Sequence, residues 1–137
     1  MKKLKILILG FICLLFMPGM VDAASGAISV SGTSSAVVGN RVTLTVTLSS
    51  GTSIGSWQMD LNYDRSYLQL VSSTAEAGGT SMVNSSASGV RSKSYTFVFK
   101  TLKTGNTRVS VSSYLAYAYS DLSQISLTSS SKSIRIM

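Results

Sequence analysis

Residues 42–48 run Val42-Thr43-Leu44-Thr45-Val46-Thr47-Leu48, a strict alternation that places four aliphatic side chains on one face and three threonines on the other. Successive side chains of an extended chain point to opposite sides, so this is the pattern of a half-buried strand. The pattern recurs. Ile54 leads to Trp57, Met59, Leu61 and Tyr63 on one side, with Ser56, Gln58, Asp60 and Asn62 on the other. Tyr95, Phe97 and Phe99 alternate with Thr96, Val98 and Lys100. Val109 and Val111 are flanked by Arg108, Ser110 and Ser112, and Ile134 and Ile136 by Ser133 and Arg135. No window after residue 23 carries the 3.6-residue period of an amphipathic helix. Turn residues punctuate the runs at Gly39-Asn40, Ser50-Gly51-Thr52, Asp64-Arg65-Ser66, Gly78-Gly79, Ser88-Gly89 and Gly105-Asn106. The pattern predicts seven to nine short strands, at 27–31, 36–38, 42–49, 54–63, 67–73, 81–84, 94–102, 107–113 and 125–136, the last as one or two. Gly105-Asn106 is placed to turn a hairpin between its neighbouring runs. Residues 72–91, rich in Ser, Gly and Ala, read as the weakest part, expected to hold a mobile loop. Each long strand is apolar on one side only, so a second layer must cover it. The fold expected is all-β: a two-sheet antiparallel β-sandwich, immunoglobulin-like or jelly-roll-like.

The first residues have a different pattern. Lys2, Lys3 and Lys5 precede an apolar run over 6–17, Pro18-Gly19 breaks it, and Val21-Asp22-Ala23 offers a small-residue cleavage site. This is the layout of a secretory signal peptide, a helix removed after Ala23. The run is shorter than the roughly 20 residues of a spanning helix. Cys13 lies inside the run, after Ile12 and before Leu14, rather than at its end where a lipid-bearing cysteine would sit. The same segment kept as an uncleaved anchor is the alternative. The expected organisation is a signal peptide over 1–23 and one β-sandwich domain over 24–137, exported to the cell surface or beyond, with no stable membrane insertion after cleavage.

Composition narrows the chemistry. Of 137 residues with 12 basic and 5 acidic side chains, the domain after residue 23 keeps nine basic and four acidic, a charge of +5. The only Cys and the only Pro lie in the leading segment, and His is absent throughout. Disulfides, Cys or His metal sites, and triads or dyads built on His therefore have no residues in the domain. Asp60, Asp64, Glu76 and Asp121 are its only carboxylates, scattered with no evident acid–base pair and too sparse for the six or so oxygens of a calcium site. The expectation is a cofactor-free protein with no metal and no catalytic residue. Asp64 reads as the first residue of an Asx turn onto the amide of Ser66 or Tyr67, after which Leu68 re-enters the core. Trp57, in phase with Met59 and Leu61, reads as a core residue.

Gly39-Asn40-Arg41-Val42-Thr43-Leu44-Thr45-Val46 is similar to the opening G-x-x-V-x-V-x-V of bacterial cohesin domains. The run from Ser53 to Asp64, ending in Tyr63-Asp64, resembles their next strand, and Ser66-Tyr67-Leu68-Gln69-Leu70-Val71 its continuation. Tyr95-Thr96-Phe97-Val98-Phe99 with Gly105, and Tyr119-Ser120-Asp121 with Ser126-Leu127-Thr128, resemble later segments, so the likeness spans about residues 27–136. The resemblance implies a non-catalytic receptor for dockerin modules in extracellular polysaccharide degradation, with the partner on an outward sheet face. The matching outward positions here are Ser56, Gln58 and Asp60. Dockerin-binding cohesins typically carry Asn and Asp at the first two, so Ser56 and Gln58 depart from the pattern.

Two other surfaces compete. Tyr117 and Tyr119 share one face of an extended segment, while Tyr114 falls on the other with Ala116 and Ala118. Exposed, Tyr117 and Tyr119 would make a glycan-stacking strip for a polysaccharide partner; packed, they would cover an open edge. The basic residues are spread through several turns and strands rather than interleaved with stacking aromatics, which argues against nucleic acid as a partner. A bacterial immunoglobulin-like surface or adhesion domain with a structural role is the alternative to a binding module.

Overall fold

The computed structural model describes residues 25–137, in which eight strands and no helix are formed. The signal-peptide helix, its cleavage after Ala23 and the boundary drawn there lie outside the described residues. In chain order the strands are β1 (Ser25–Gly32), β2 (Ser35–Ala36), β3 (Arg41–Asn62), β4 (Leu68–Ser73), β5 (Ser81–Thr101), β6 (Gly105–Ala118), β7 (Ser126–Ser129) and β8 (Lys132–Ile136). They form one hydrogen-bonded sheet, ordered β2-β8-β6-β3-β1-β7 with β5 on β3 and β4 on β5, curled so that its two halves face each other.

The curl comes from strands too long for one layer. Residues 41–50 of β3 pair with β1 and with 92–100 of β5, whereas 54–62 pair with β6 and with 81–90 of β5. One layer is therefore β7-β1-β3-β5-β4, and the other is β2-β8-β6-β3-β5. The first and last strands change layer together. β1 pairs with β7 in parallel in one layer, and β2 pairs with β8 in parallel in the other. These parallel seams add to the antiparallel ladders that alternation predicts.

At each bend the side-chain phase slips by one. In β3 the buried set passes from Val42, Leu44, Val46, Leu48 and Ile54 to Trp57, Met59 and Leu61, across a register shift between Ile54 and Ser56. In β5 it passes from Met82 and Val90 to Tyr95, Phe97 and Phe99, across the register shift between Val90 and Ser92. In β6 it passes from Val109 and Val111 to Ala116 and Ala118, across Ser113 at φ 52°. An inserted residue bends a strand and turns its downstream half over, which keeps apolar side chains inward as the strand changes direction. The inner faces join in one core. It is completed by Ile28 and Val30 of β1, Leu68 of β4, and Ile134 and Ile136 of β8.

Three expectations need correction. The strand expected at 81–84 continues to 91 where a loop is expected, because backbone pairing to β3 at Ser85 and Val90 holds a stretch whose side chains bury little. Gly105-Asn106 turns no hairpin. It opens β6 and pairs with Arg135 and Ile136 of β8, while the half of β5 that precedes it, 92–101, lies in the other layer. The runs 42–49 and 54–63 are one bent strand, as are 81–84 and 94–102.

Candidate functional site

The outward face of the second layer is built as three rows across β5, β3 and β6. Ser56 lies between Ser85 and Tyr117, Gln58 between Val83 and Leu115, and Asp60 between Ser81 and Ser112. Directly paired residues point to the same side of a sheet, so Ser56, Gln58 and Asp60 form the central column of one surface. Gln58 is exposed, and Ser56 and Asp60 are half-buried. The neighbouring columns supply apolar area: Val83 is 54% exposed and Tyr117 36%, with Leu115 half-buried. Together Ser56, Trp57, Gln58, Val83, Asn84, Leu115 and Tyr117 line a shallow depression of about 170 Å³.

The structure thus merges two candidates that the sequence keeps apart. Tyr117 stands opposite Ser56 in register and belongs to the same depression. Tyr119 is further along, 45% exposed, with its Cα 2.9 Å from where a Cβ on Gly55 would sit. Tyr114 packs against the core, as its phase with Ala116 predicts.

Hydrogen bonding divides the central column. Asp60 accepts from the Ser81 hydroxyl at 2.8 Å. Among the described residues Ser56 and Gln58 make no side-chain hydrogen bond within the chain, which leaves their donors and acceptors open to a partner. Beneath them Trp57 is buried, and its indole N–H donates to the Tyr95 hydroxyl across the core at 2.7 Å. That hydroxyl donates to Glu76 at 2.8 Å. Burial pushes the Tyr95 phenol well above its usual range, and its bond to Glu76 adds to the shift while the Trp57 bond opposes it. Burial would raise the Glu76 carboxyl, but donors from Tyr95, Asn84 and the backbone hold it below the ordinary glutamate range. Neither Glu76 nor Tyr95 stood out in the sequence as part of a site. The only available signal was an isolated glutamate in a Ser- and Gly-rich stretch.

The remaining carboxylates have structural partners. Asp64 accepts from the Ser66 backbone N–H at 2.9 Å and hydroxyl at 2.6 Å, the expected Asx turn, and these bonds hold its carboxyl low. Asp121 does the same with Ser123. No group of three or more His, Cys, Asp or Glu among the described residues is arranged to hold a metal ion. The nine basic residues lie off the three rows. Arg65 covers the Tyr63 ring, Lys103 the Tyr67 ring and Lys93 the Tyr95 ring. Arg108 bonds Ser131 and Lys132 bonds Ser34. A larger cleft of about 530 Å³ opens between Tyr63, Arg65, Gln69 and Thr80, and no candidate residue lines it. No described helix is long and apolar enough to cross a membrane.

Residues 26–136 match the family profile of the cohesin domain. No curated protein sequence matches the chain. Among solved structures it is similar to a non-cellulosomal cohesin from the hyperthermophilic archaeon Archaeoglobus fulgidus, with a TM-score of 0.62 and 12% identity over 85% of this chain and 92% of that one. It is also similar to the second type II cohesin module of the adaptor ScaA scaffoldin of Acetivibrio cellulolyticus, with a TM-score of 0.57 and 14% identity over 83% and 91% of the two chains. The CARDB domain of PF1109 from Pyrococcus furiosus, solved with di-metal ions, is similar at a TM-score of 0.51 and 10% identity, over 83% of this chain and 94% of that one. At such identities the likeness shows the fold.

Proposed function

The chain belongs to the cohesin family, and from that premise we propose that it is an exported, non-catalytic binding module whose partner is a protein domain of dockerin-like kind, in extracellular polysaccharide degradation. The partner docks on the outward β5-β3-β6 face, with Ser56, Gln58 and Asp60 at its centre. The observation that carries this reading is the three-row surface. It is a polar column with free hydrogen-bonding groups, flanked by exposed Val83 and Tyr117 and half-buried Leu115. Protein interfaces take this form: apolar and aromatic anchors around a few polar groups that fix register, with charges sparse at the centre. Tyr117 serves here as an anchor within the protein-binding face rather than as part of a separate glycan strip with Tyr119. Where other dockerin-binding cohesins typically carry Asn and Asp, Ser56 and Gln58 present a hydroxyl and an amide. The partner that fits them pairs neutral groups rather than a cation at this column.

The test starts from capture of a partner by the immobilised domain, with dockerin-bearing secreted proteins and a polysaccharide panel offered side by side. Gln58→Lys puts a charge at the centre of the face without disturbing the core. Its stability should stay within about ±0.5 kcal/mol of the parent, as for other exposed positions. Its affinity for the captured protein should fall at least about tenfold, or ~1.4 kcal/mol. Unchanged affinity in Gln58→Lys, with binding lost in Tyr117→Ala/Tyr119→Ala and a polysaccharide as the captured species, would transfer the site to the tyrosines.

A further inference from the structure

Glu76 sits in the turn between β4 and β5, outside the three rows, yet its carboxylate gathers donors from residues that line the depression. Oε1 accepts the backbone N–H of Val83 at 3.1 Å. Oε2 accepts the Asn84 amide at 3.1 Å and the Tyr95 hydroxyl at 2.8 Å. The Tyr95 hydroxyl in turn receives the Trp57 indole N–H. Trp57, Val83 and Asn84 are three of the seven residues of the depression. The Val83 N–H points away from β3, off the free edge of the layer, where no further strand among the described residues pairs with 81–90 of β5. Its neighbour Ser85 donates its N–H to the Asn84 side chain. Two side chains therefore occupy the edge positions that another strand would otherwise use, a common way to close a sheet edge.

We propose that Glu76 is the positioning residue of the recognition face, its ionised carboxylate clamping the edge strand at Val83 and Asn84 and holding the Trp57 indole through Tyr95, so that neutralising it loosens the face while the sandwich stays folded. This rests on the reading of that face as the docking surface, although the clamp itself is measurable without a partner. A protonated carboxyl turns one acceptor oxygen into a donor and loses its charge, so the bonds it receives from Val83, Asn84 and Tyr95 weaken. The titratable and charged groups facing it are the Tyr95 phenol, which burial holds well above its usual range, Lys93 over the Tyr95 ring at 5.3 Å, and Asp60 on β3, which accepts from Ser81. Glu76 owes its low pKa to hydrogen bonds rather than to a neighbouring cation.

The chain carries its own reporter, because Trp57 is the only tryptophan. Residues 24–137 and their Glu76→Gln variant would be titrated from neutral to acid pH. Trp57 emission would be followed alongside NMR protection factors for the Val83 amide and for Leu44 in the other layer. In the parent, Val83 protection should fall about tenfold or more, and the Trp57 emission shift, in one transition below the ordinary glutamate range, with Leu44 still protected. Glu76→Gln should show the loosened values at neutral pH and no transition. Asn84→Ala, which removes one donor and keeps the carboxylate, should retain the transition. Parent-like Val83 protection in Glu76→Gln, or loss of Val83 and Leu44 protection together in the parent, overturns the clamp. If Glu76→Gln does not fold, the parent titration decides alone. A loosened Val83 with unchanged affinity for the captured partner overturns the docking face and leaves the clamp standing.

Discussion

Replacing Trp57 by alanine removes an indole packed opposite Ala116 and strips the Tyr95 hydroxyl of its donor in the middle of the core. Large-to-small changes of this kind cost about 3–5 kcal/mol. The urea midpoint of Trp57→Ala should fall accordingly, and a loss below about 1 kcal/mol would mean that the indole is not held as described. The burial of Trp57 was legible from its phase with Met59 and Leu61. Its hydrogen bond was not, because Tyr95 is 38 residues away and on the other layer. The pH response belongs to this scale as well. Glu76, Asp64 and Asp121 all have folded-state carboxyls held below their ordinary values by hydrogen bonds. Groups of that kind stabilise the fold above the unfolded-state pKa, and that contribution is lost as pH falls through the folded-state pKa. Thermal stability should thus be flat through neutral pH and decline on the acid side, below about pH 4–5. With no histidine in the chain, a decline centred near pH 6 would contradict this account.

At the scale of elements, the bends of β3, β5 and β6 decide which side chains reach the three-row outward face. Gly55 marks the bend of β3. A Cβ there would lie 2.9 Å from the Tyr119 Cα and 3.3 Å from its N, and backbone atoms cannot swing aside as a side chain can. Gly55→Ala should lower stability by about 1–3 kcal/mol, the usual cost of forcing extra atoms into a packed site. Gly51→Ala, where nothing lies within 4 Å, should be nearly neutral. Melting curves of the pair compare close approach with open space directly, and equal effects would show that the bend tolerates a side chain. Alternation made the strands and their inward faces readable, because it records burial residue by residue. The phase slips were not readable as strand continuity. A single-residue insertion looks the same whether the chain turns back or merely bends into the next layer, so bent strands read as separate ones. The run 85–93 was missed for a related reason. Backbone pairing to β3 at Ser85, Val90, Ser92 and Lys93 holds it, and side-chain pattern carries no trace of that.

Over the whole molecule, the outward faces of the two layers differ in kind. The first presents Thr43, Thr45, Thr47 and Ser49 beside Ser92, Ser94 and Thr96, with Lys100 opposite Arg41 at one end. The second presents Gln58 between Val83 and Leu115, with Asp60 its only charge among the three rows and Glu76 at its border. None of the nine basic residues falls in the three rows, although Arg108 of β6 and Arg135 of β8 lie outward further along the same layer. The placement of Ser56, Gln58 and Asp60 on an outward face was legible from strand phase. Their union with Tyr117 required knowing that β6 lies next to β3, which no local pattern records. The most direct test of the docking face is an NMR footprint of the captured protein partner on isotopically labelled residues 24–137. The account predicts that the perturbed amides cluster at Ser56, Gln58, Val83, Leu115 and Tyr117, with the threonine face unchanged. Perturbations centred on Thr43, Thr45 and Thr47, or on the cleft at Arg65 and Gln69, would contradict it.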